Sequence, residues 1–134
     1  MDENIFVPAI QNIDKIISLL EKEYPVAVAT SLKHKDAFQL LVSTILAAQS
    51  TDKLVNTVTP GLFKKYKGPS DFADADPDEL EQDIRTTGFF RNKAKNIMGA
   101  SRELIKNFDG KVPGNMEDLV SLPGVGRKTA NVVL

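Results

Sequence analysis

There is no cysteine anywhere in the 134 residues. Disulfides, thiolate metal sites and iron–sulfur ligation are therefore closed to this chain. Long apolar runs are missing as well. The best candidate, Leu40 to Ala48, is interrupted by Ser43 and Thr44 and falls well short of the roughly 20 residues that cross a bilayer. The amino terminus, Met1-Asp2-Glu3-Asn4, lacks the basic start of a secretory signal. A cytoplasmic protein fits these absences. Net charge is scarce too: 17 Lys and Arg against 18 Asp and Glu leave a formal −1. That balance argues against holding nucleic acid by bulk electrostatics. The lone histidine, His34, follows Lys33 in a basic loop and reads as a surface residue.

What the chain does have is enough apolar material for one domain, seven Phe included, and a charge distribution that the total conceals. Residues 71–83 carry Asp71, Asp74, Asp76, Asp78, Glu79, Glu81 and Asp83 with no basic residue among them. Residues 85–106 then carry Arg85, Arg91, Lys93, Lys95, Arg102 and Lys106 against Glu103 alone. Either one basic face is built here or an ordinary solvated helix lies next to an acidic one.

Periodicity predicts helices and little else. Ile13, Ile16, Ile17 and Leu20 mark an amphipathic first helix that stops before Pro25, and Val26–Ala29 reads as loop. A largely apolar, central helix is expected over about Asp36 to Ala48. Another runs from Thr51 or Asp52 to Tyr66, kinked or restarted at Pro60, and Lys67–Ser70 reads as a turn. Asp76-Pro77-Asp78-Glu79 is a helix start, with a carboxylate cap, Pro in the first turn and Glu placed for a capping box. That helix should end at Thr87-Gly88 with Gly in the left-handed position. Ala94, Ile97, Met98, Ser101, Leu104, Ile105 and Phe108 form the next stripe, read as core and closed by Asp109-Gly110. A short helix from Asn115 to Leu122, the turn Pro123-Gly124-Val125-Gly126 and a helix from Arg127 complete an all-α chain. The last helix shows no Gly, Asn or Pro stop before Leu134, which leads us to expect a natural protein that continues.

The turn at Leu122–Gly126 has a mechanical reading. Pro123 ends one helix, and Gly124 and Gly126 permit positive φ and close approach of another backbone. The N–H groups of the turn and of the following helix start have no carbonyl partners, so with the helix dipole they form a site for one phosphate. Such a contact reads DNA backbone and not sequence. Arg127 and Lys128 then occupy the first helical turn, the unfavourable end for cations, at about 0.3–1 kcal/mol each. Breaking a local rule twice beside an anion-binding turn points to function. Arg127 suits phosphate attraction or plain solvation. An amine at Lys128, stripped of its proton by burial against substrate, can attack a sugar carbon and form a Schiff base.

With Thr129-Ala130 following, the segment Leu122–Leu134 (LPGVGRKTANVVL) resembles the helix-hairpin-helix of endonuclease III, a DNA glycosylase with abasic-site lyase activity. Leu46–Asp52 (LAAQSTD), with Val55 and Asn56, and Gly88–Ile97 (GFFRNKAKNI) extend the likeness, which covers about residues 12 to 134. The resemblance implies a six-helix-barrel domain over 25–134, with the helix-hairpin-helix at 115–134. It assigns residues 1–24 to an N-terminal helix of an otherwise missing cluster domain. It implies base-excision repair: a damaged, oxidised pyrimidine is flipped from double-stranded DNA, Lys128 attacks C1′, and the Schiff base permits β-elimination. Lysine at 128 matches the lyase-competent branch of the superfamily. Gln49 matches the residue that enters the vacated space, the alternative being a buried helix-terminal amide. Phe89 or Phe90 matches the wedge, with core packing expected for at least one of them. Lys93 and Lys95 are candidate phosphate contacts, beside Gly124, Val125, Gly126, Arg127 and Thr129 of the hairpin.

The resemblance also implies what these residues do not supply. The family's catalytic aspartate follows the hairpin helix, beyond Leu134, and the four cysteines of its C-terminal [4Fe-4S] cluster are absent. No cofactor is therefore expected in this chain. Asp36, Asp109 or the acidic run are substitutes without a motif behind them. The expectation is a monomer that works on the nucleoid, impaired or inactive as it stands. The rivals are a non-catalytic helix-hairpin-helix module that grips duplex DNA, and a helical protein-binding scaffold.

Overall fold

The computed structural model describes residues 31–134. Within them the chain forms α1 (Ala37–Ala47), α2 (Asp52–Lys65), α3 (Pro69–Ala73), α4 (Pro77–Ile84), α5 (Phe90–Asn107), α6 (Met116–Val120) and α7 (Arg127–Val133). A single 3-10 turn, Arg85–Thr87, follows α4. No strand occurs among the described residues, in line with the all-α expectation. The helix expected through Ile13–Leu20, the Val26–Ala29 loop and the proposed 1–24 unit lie outside the described residues.

Local chemistry sets most helix starts. Asp36 caps α1, its carboxylate accepting from the Gln39 N–H at 2.9 Å. Thr51 caps α2 through the Leu54 N–H, and Asn115 caps α6 through the Asp118 N–H. These side chains satisfy donors that a helix start leaves unpaired. Asp76 caps α4 with Pro77 in its first turn. Glu79, placed for a capping box, is drawn instead into an ion pair with Lys65 of α2.

Two expectations are narrowed. Of the two alternatives at Pro60, a kink or a restart, the restart does not occur, because α2 is one helix from Asp52 to Lys65 with Pro60 inside it. The buried Thr59 and Leu62 hold that segment in place despite the lost backbone donor. Lys67–Ser70 is only in part a turn, because Pro69 begins the five-residue α3. The reason is Phe72, fully buried, stacked on Tyr66 at 4.8 Å and tilted against Phe38 at 5.7 Å. Burying one such ring is worth about 1.5–3 kcal/mol, enough to hold a turn of helix that propensity alone would not.

Two helices organise the rest. α1 is buried over most of its circumference and packs against α2, α5 and α7. α5 packs against α1, α3 and α4 through Ala94, Ile97, Met98, Ser101 and Leu104, the expected stripe. Ile105, counted in that stripe, faces solvent. α5 closes as expected through Asp109 at φ 54° and Gly110 at φ 76°, with the Gly110 N–H donating to the Leu104 carbonyl at 2.8 Å.

Candidate DNA-contact and nucleophile site

The segment from α6 to α7 forms a tight hairpin. The Leu122 N–H donates to the Leu119 carbonyl and the Val125 N–H to the Leu122 carbonyl, both at 3.1 Å. Leu122 and Val125 are buried and pin the turn from below, leaving Pro123, Gly124 and Gly126 at the surface. Any contact made by Val125 is thus through its backbone. Gly126 precedes α7 with no side chain to cap it, so the first N–H groups of α7 have no partner within the helix. Arg127 and Lys128 are exposed on that first turn and Thr129 is half-buried. Ala130 is fully buried, and α7 packs against α1, which fixes which side of the helix faces outward.

The hairpin rests on α5. Gly124 has φ 79°, and a Cβ added there would stand 2.6 Å from Cβ of Asn96 and 2.8 Å from its Cγ. Gly99, one turn further along, receives the Pro123 ring, whose Cγ lies 3.1 Å from where a Gly99 Cβ would be. Gly124 is therefore required for seating the hairpin. Gly126 differs: its φ is −91° and nothing lies within 4 Å of an added Cβ. Neither Asn96 nor Gly99 was singled out from the sequence. A glycine inside the α5 stripe was the available signal for a close approach, whereas Asn96 offered none.

Gln49 lies in the turn after α1 at φ 55°, with its side chain exposed and not buried as a helix-terminal amide. Phe89, between the 3-10 turn and α5, has φ 47° and is 64% exposed. Left-handed backbone in a residue with a Cβ costs about 1–2 kcal/mol. Both positions are thus strained and solvent-facing, an arrangement that clusters where side chains must be presented. Gly88 makes the Phe89 turn possible with φ 78° and ψ 161°, a conformation open to glycine almost alone. It is a positive-φ stop, as expected, but an extended one. Phe90 packs against the core beneath Arg85 and Arg91, whose guanidinium carbons lie 5.7 and 5.3 Å from the ring centre. The two neighbouring rings are thereby divided between presentation and packing.

The basic residues divide similarly. Lys95 is exposed on α5. Lys93, read as a phosphate contact, is only 4% exposed, and its ammonium donates to the Leu46 carbonyl at 2.7 Å and the Thr87 carbonyl at 2.9 Å. Burial of the amine holds its pKa below the usual lysine value. A phosphate would have to displace two charge-assisted hydrogen bonds, so that reading is withdrawn. His34 is exposed, its Nδ1 2.9 Å from the Leu32 carbonyl oxygen. Asp36 is engaged as the α1 cap, at the opposite end of that helix from Gln49 and about 16 Å away by helical rise. With no cysteine in the chain, the residues present do not fit an iron–sulfur cluster.

Comparison with known proteins falls on these same elements. Residues 42–133 match the HhH-GPD superfamily of base excision DNA repair proteins. Over 124 residues, 92% of this chain and 56% of the relative, it is 54% identical to endonuclease III of Synechocystis sp.. It is 52% identical to endonuclease III of Bacillus subtilis over 103 residues, 77% of this chain and 47% of the relative. The structure of a non-covalent endonuclease III–DNA complex superposes with a TM-score of 0.75 at 52% identity, covering 76% of this chain and 48% of that one. A thermostable thymine-DNA glycosylase superposes at 0.71 and 29% identity, over 75% of this chain and 46% of that one. The chain thus spans about half the length of the relatives it matches. The match takes in α1 from Val42, the strained turns at Gln49 and Phe89, α5 and the hairpin, and the chain belongs to the HhH-GPD superfamily of base excision DNA repair proteins.

Proposed function

We propose that this chain is the duplex-gripping, nucleophile-bearing part of a bifunctional DNA glycosylase and abasic-site lyase of the endonuclease III type. The observation that carries the reading is the hairpin: a glycine turn seated on α5, with uncapped N–H groups opening α7 and Lys128 exposed one residue in. Those N–H groups take one backbone phosphate and hold the duplex irrespective of sequence. Gln49 fills the space left by a flipped pyrimidine, and Phe89 wedges the opposite strand. The Lys128 amine bonds to C1′ as the C1′–N bond breaks and the base departs with a proton. Opening of the sugar gives the imine, loss of a C2′ proton follows, and departure of the 3′ phosphate cuts the strand.

Among the 134 residues no carboxylate stands where the resemblance puts the activating acid. On this reading base removal also calls for that acid, and no side chain among the 134 residues can supply a thiolate to an iron–sulfur cluster. It acts as a monomer on the nucleoid. No helix among the described residues is long and apolar enough to cross a membrane.

Fluorescence anisotropy tests the grip, with one duplex intact and another carrying a tetrahydrofuran abasic analogue. The chain should prefer the abasic duplex, with a modest salt slope because few phosphates meet full charges. Gly126→Val should weaken binding to both duplexes alike. Salt-dependent binding without abasic preference would favour the plain duplex-gripping module, and absence of salt-dependent binding would favour a protein scaffold.

A further inference from the structure

Lys93 is a buried cation whose hydrogen bonds, among the described residues, go to no carboxylate. Its ammonium sits between two backbone carbonyls that belong to different parts of the fold. One is that of Leu46, in the last turn of α1 and three residues before Gln49. The other is that of Thr87, in the 3-10 turn and two residues before Phe89. Both downstream residues have left-handed backbone, at φ 55° and φ 47°. Ordinary packing rarely buries a lysine, because the desolvation is expensive and an apolar residue fills the same volume without it. A donor is needed here because the carbonyls at the ends of α1 and the 3-10 turn lack a helical continuation to accept from. One nitrogen thus anchors the stems of both exposed turns. Asn96, at i+3 on the same helix, meets the hairpin through Gly124. The amino-terminal half of α5 therefore sets all three surface features relative to one another.

We propose that Lys93 is a positioning residue that fixes the separation of the Gln49 and Phe89 turns, so that both side chains enter one distorted site in the duplex together. It touches no DNA. The proposal rests on the reading that Gln49 and Phe89 enter the duplex, and the test separates the two. Lys93→Met keeps the length and apolar stem and deletes the donors. It should reduce affinity for the tetrahydrofuran duplex by about tenfold, the scale of a lost charge-assisted hydrogen bond, and change affinity for intact duplex far less. In a Gln49→Ala, Phe89→Ala background the same substitution should change the preference for the abasic duplex by less than about twofold, because no side chains remain to be placed. Equal loss on both duplexes, or an unchanged loss of preference in the double-alanine background, would reduce Lys93 to a core-stabilising group. If Gln49→Ala and Phe89→Ala have no effect of their own, the functional reading fails first.

A second measurement needs no variant. In the 15N-labelled chain the Lys93 ammonium should keep the Leu46 and Thr87 carbonyls as its acceptors, seen as scalar couplings across the hydrogen bonds, when abasic duplex is added. Loss of these couplings in favour of a coupling to a DNA phosphorus would make Lys93 a direct phosphate ligand and overturn the proposal.

Discussion

Gly124 sits at φ 79° with Asn96 directly against the place where a Cβ would stand, whereas Gly126 has ordinary extended backbone and open space. The same substitution should therefore have opposite signatures at two positions of one turn. Gly124→Ala should destabilise the fold by about 1–3 kcal/mol, combining a left-handed residue with a clash against the Asn96 side chain. Gly126→Ala should leave the melting temperature within a degree or two and act on duplex affinity alone. Thermal melts beside anisotropy titrations decide it, and a melting loss in Gly126→Ala matching that of Gly124→Ala would remove the distinction. Gln49 carries strain that glycine would relieve. Gln49→Gly should raise stability by up to about 1 kcal/mol in denaturant unfolding while abolishing the preference for abasic over intact duplex. A stability loss would mean that the Gln49 side chain supports the fold. The glycine pair was visible in the sequence as a motif, but its division of labour was not, because nothing in a sequence says which backbone a turn will approach.

At the scale of elements, α2 and α4 are tied by a small polar cluster. The Asp83 carboxylate accepts from the Tyr66 hydroxyl at 2.9 Å and pairs with Lys65 at 2.9 Å, and Glu79 pairs with the same lysine. Tyr66 is 6% exposed, and burial followed by the hydrogen bond to Asp83 raises its pKa from 10.0 to about 12. The native state thus keeps the phenol proton to higher pH than the unfolded chain. Stability from this source is complete below pH 10 and is lost between pH 10 and about 12, as the unfolded tyrosine ionises first. The slope is at most about 1.4 kcal/mol per pH unit. Tyr66→Phe should unfold with a shallower alkaline slope than the parent, and identical slopes would remove Tyr66 as the cause. Helix starts at Asp36, Thr51, Asp76 and Asn115 were legible because capping is local chemistry written in one or two side chains. α3 was not, since it exists through the burial of Phe72 against rings distant in sequence. Phe89 and Phe90 could not be told apart for a similar reason: Gly88 permits the turn that separates them without announcing which ring it exposes.

At the scale of the molecule, the first half of α5 gathers the Gln49 turn, the Phe89 turn and the hairpin, and α1 backs α7 so that Lys128 faces outward. The hairpin could be read from sequence as a glycine turn between two helices, and Lys128 was singled out there because two ill-placed cations beside a candidate anion site break a local rule. Lys93 was misread because a lysine in a basic stretch looks the same whether it reaches solvent or turns inward to satisfy carbonyls contributed from 47 and 6 residues away. In the proposed reaction Lys128 supplies the nucleophile, and the resemblance places the activating carboxylate outside these 134 residues. One lost charge-stabilising or proton-transferring group typically lowers the rate by about 10² to 10⁴. An abasic site asks least of that missing group, because its aldehyde reacts with an amine without a base being expelled. The direct test is borohydride reduction of the chain mixed with duplex DNA, once with a pre-formed abasic site and once with an intact oxidised pyrimidine. A covalent adduct should form slowly on the abasic duplex, vanish in Lys128→Gln, and stay at or below the limit of detection on the intact lesion. An adduct that persists in Lys128→Gln, or brisk removal of the intact lesion by this chain alone, would contradict the account.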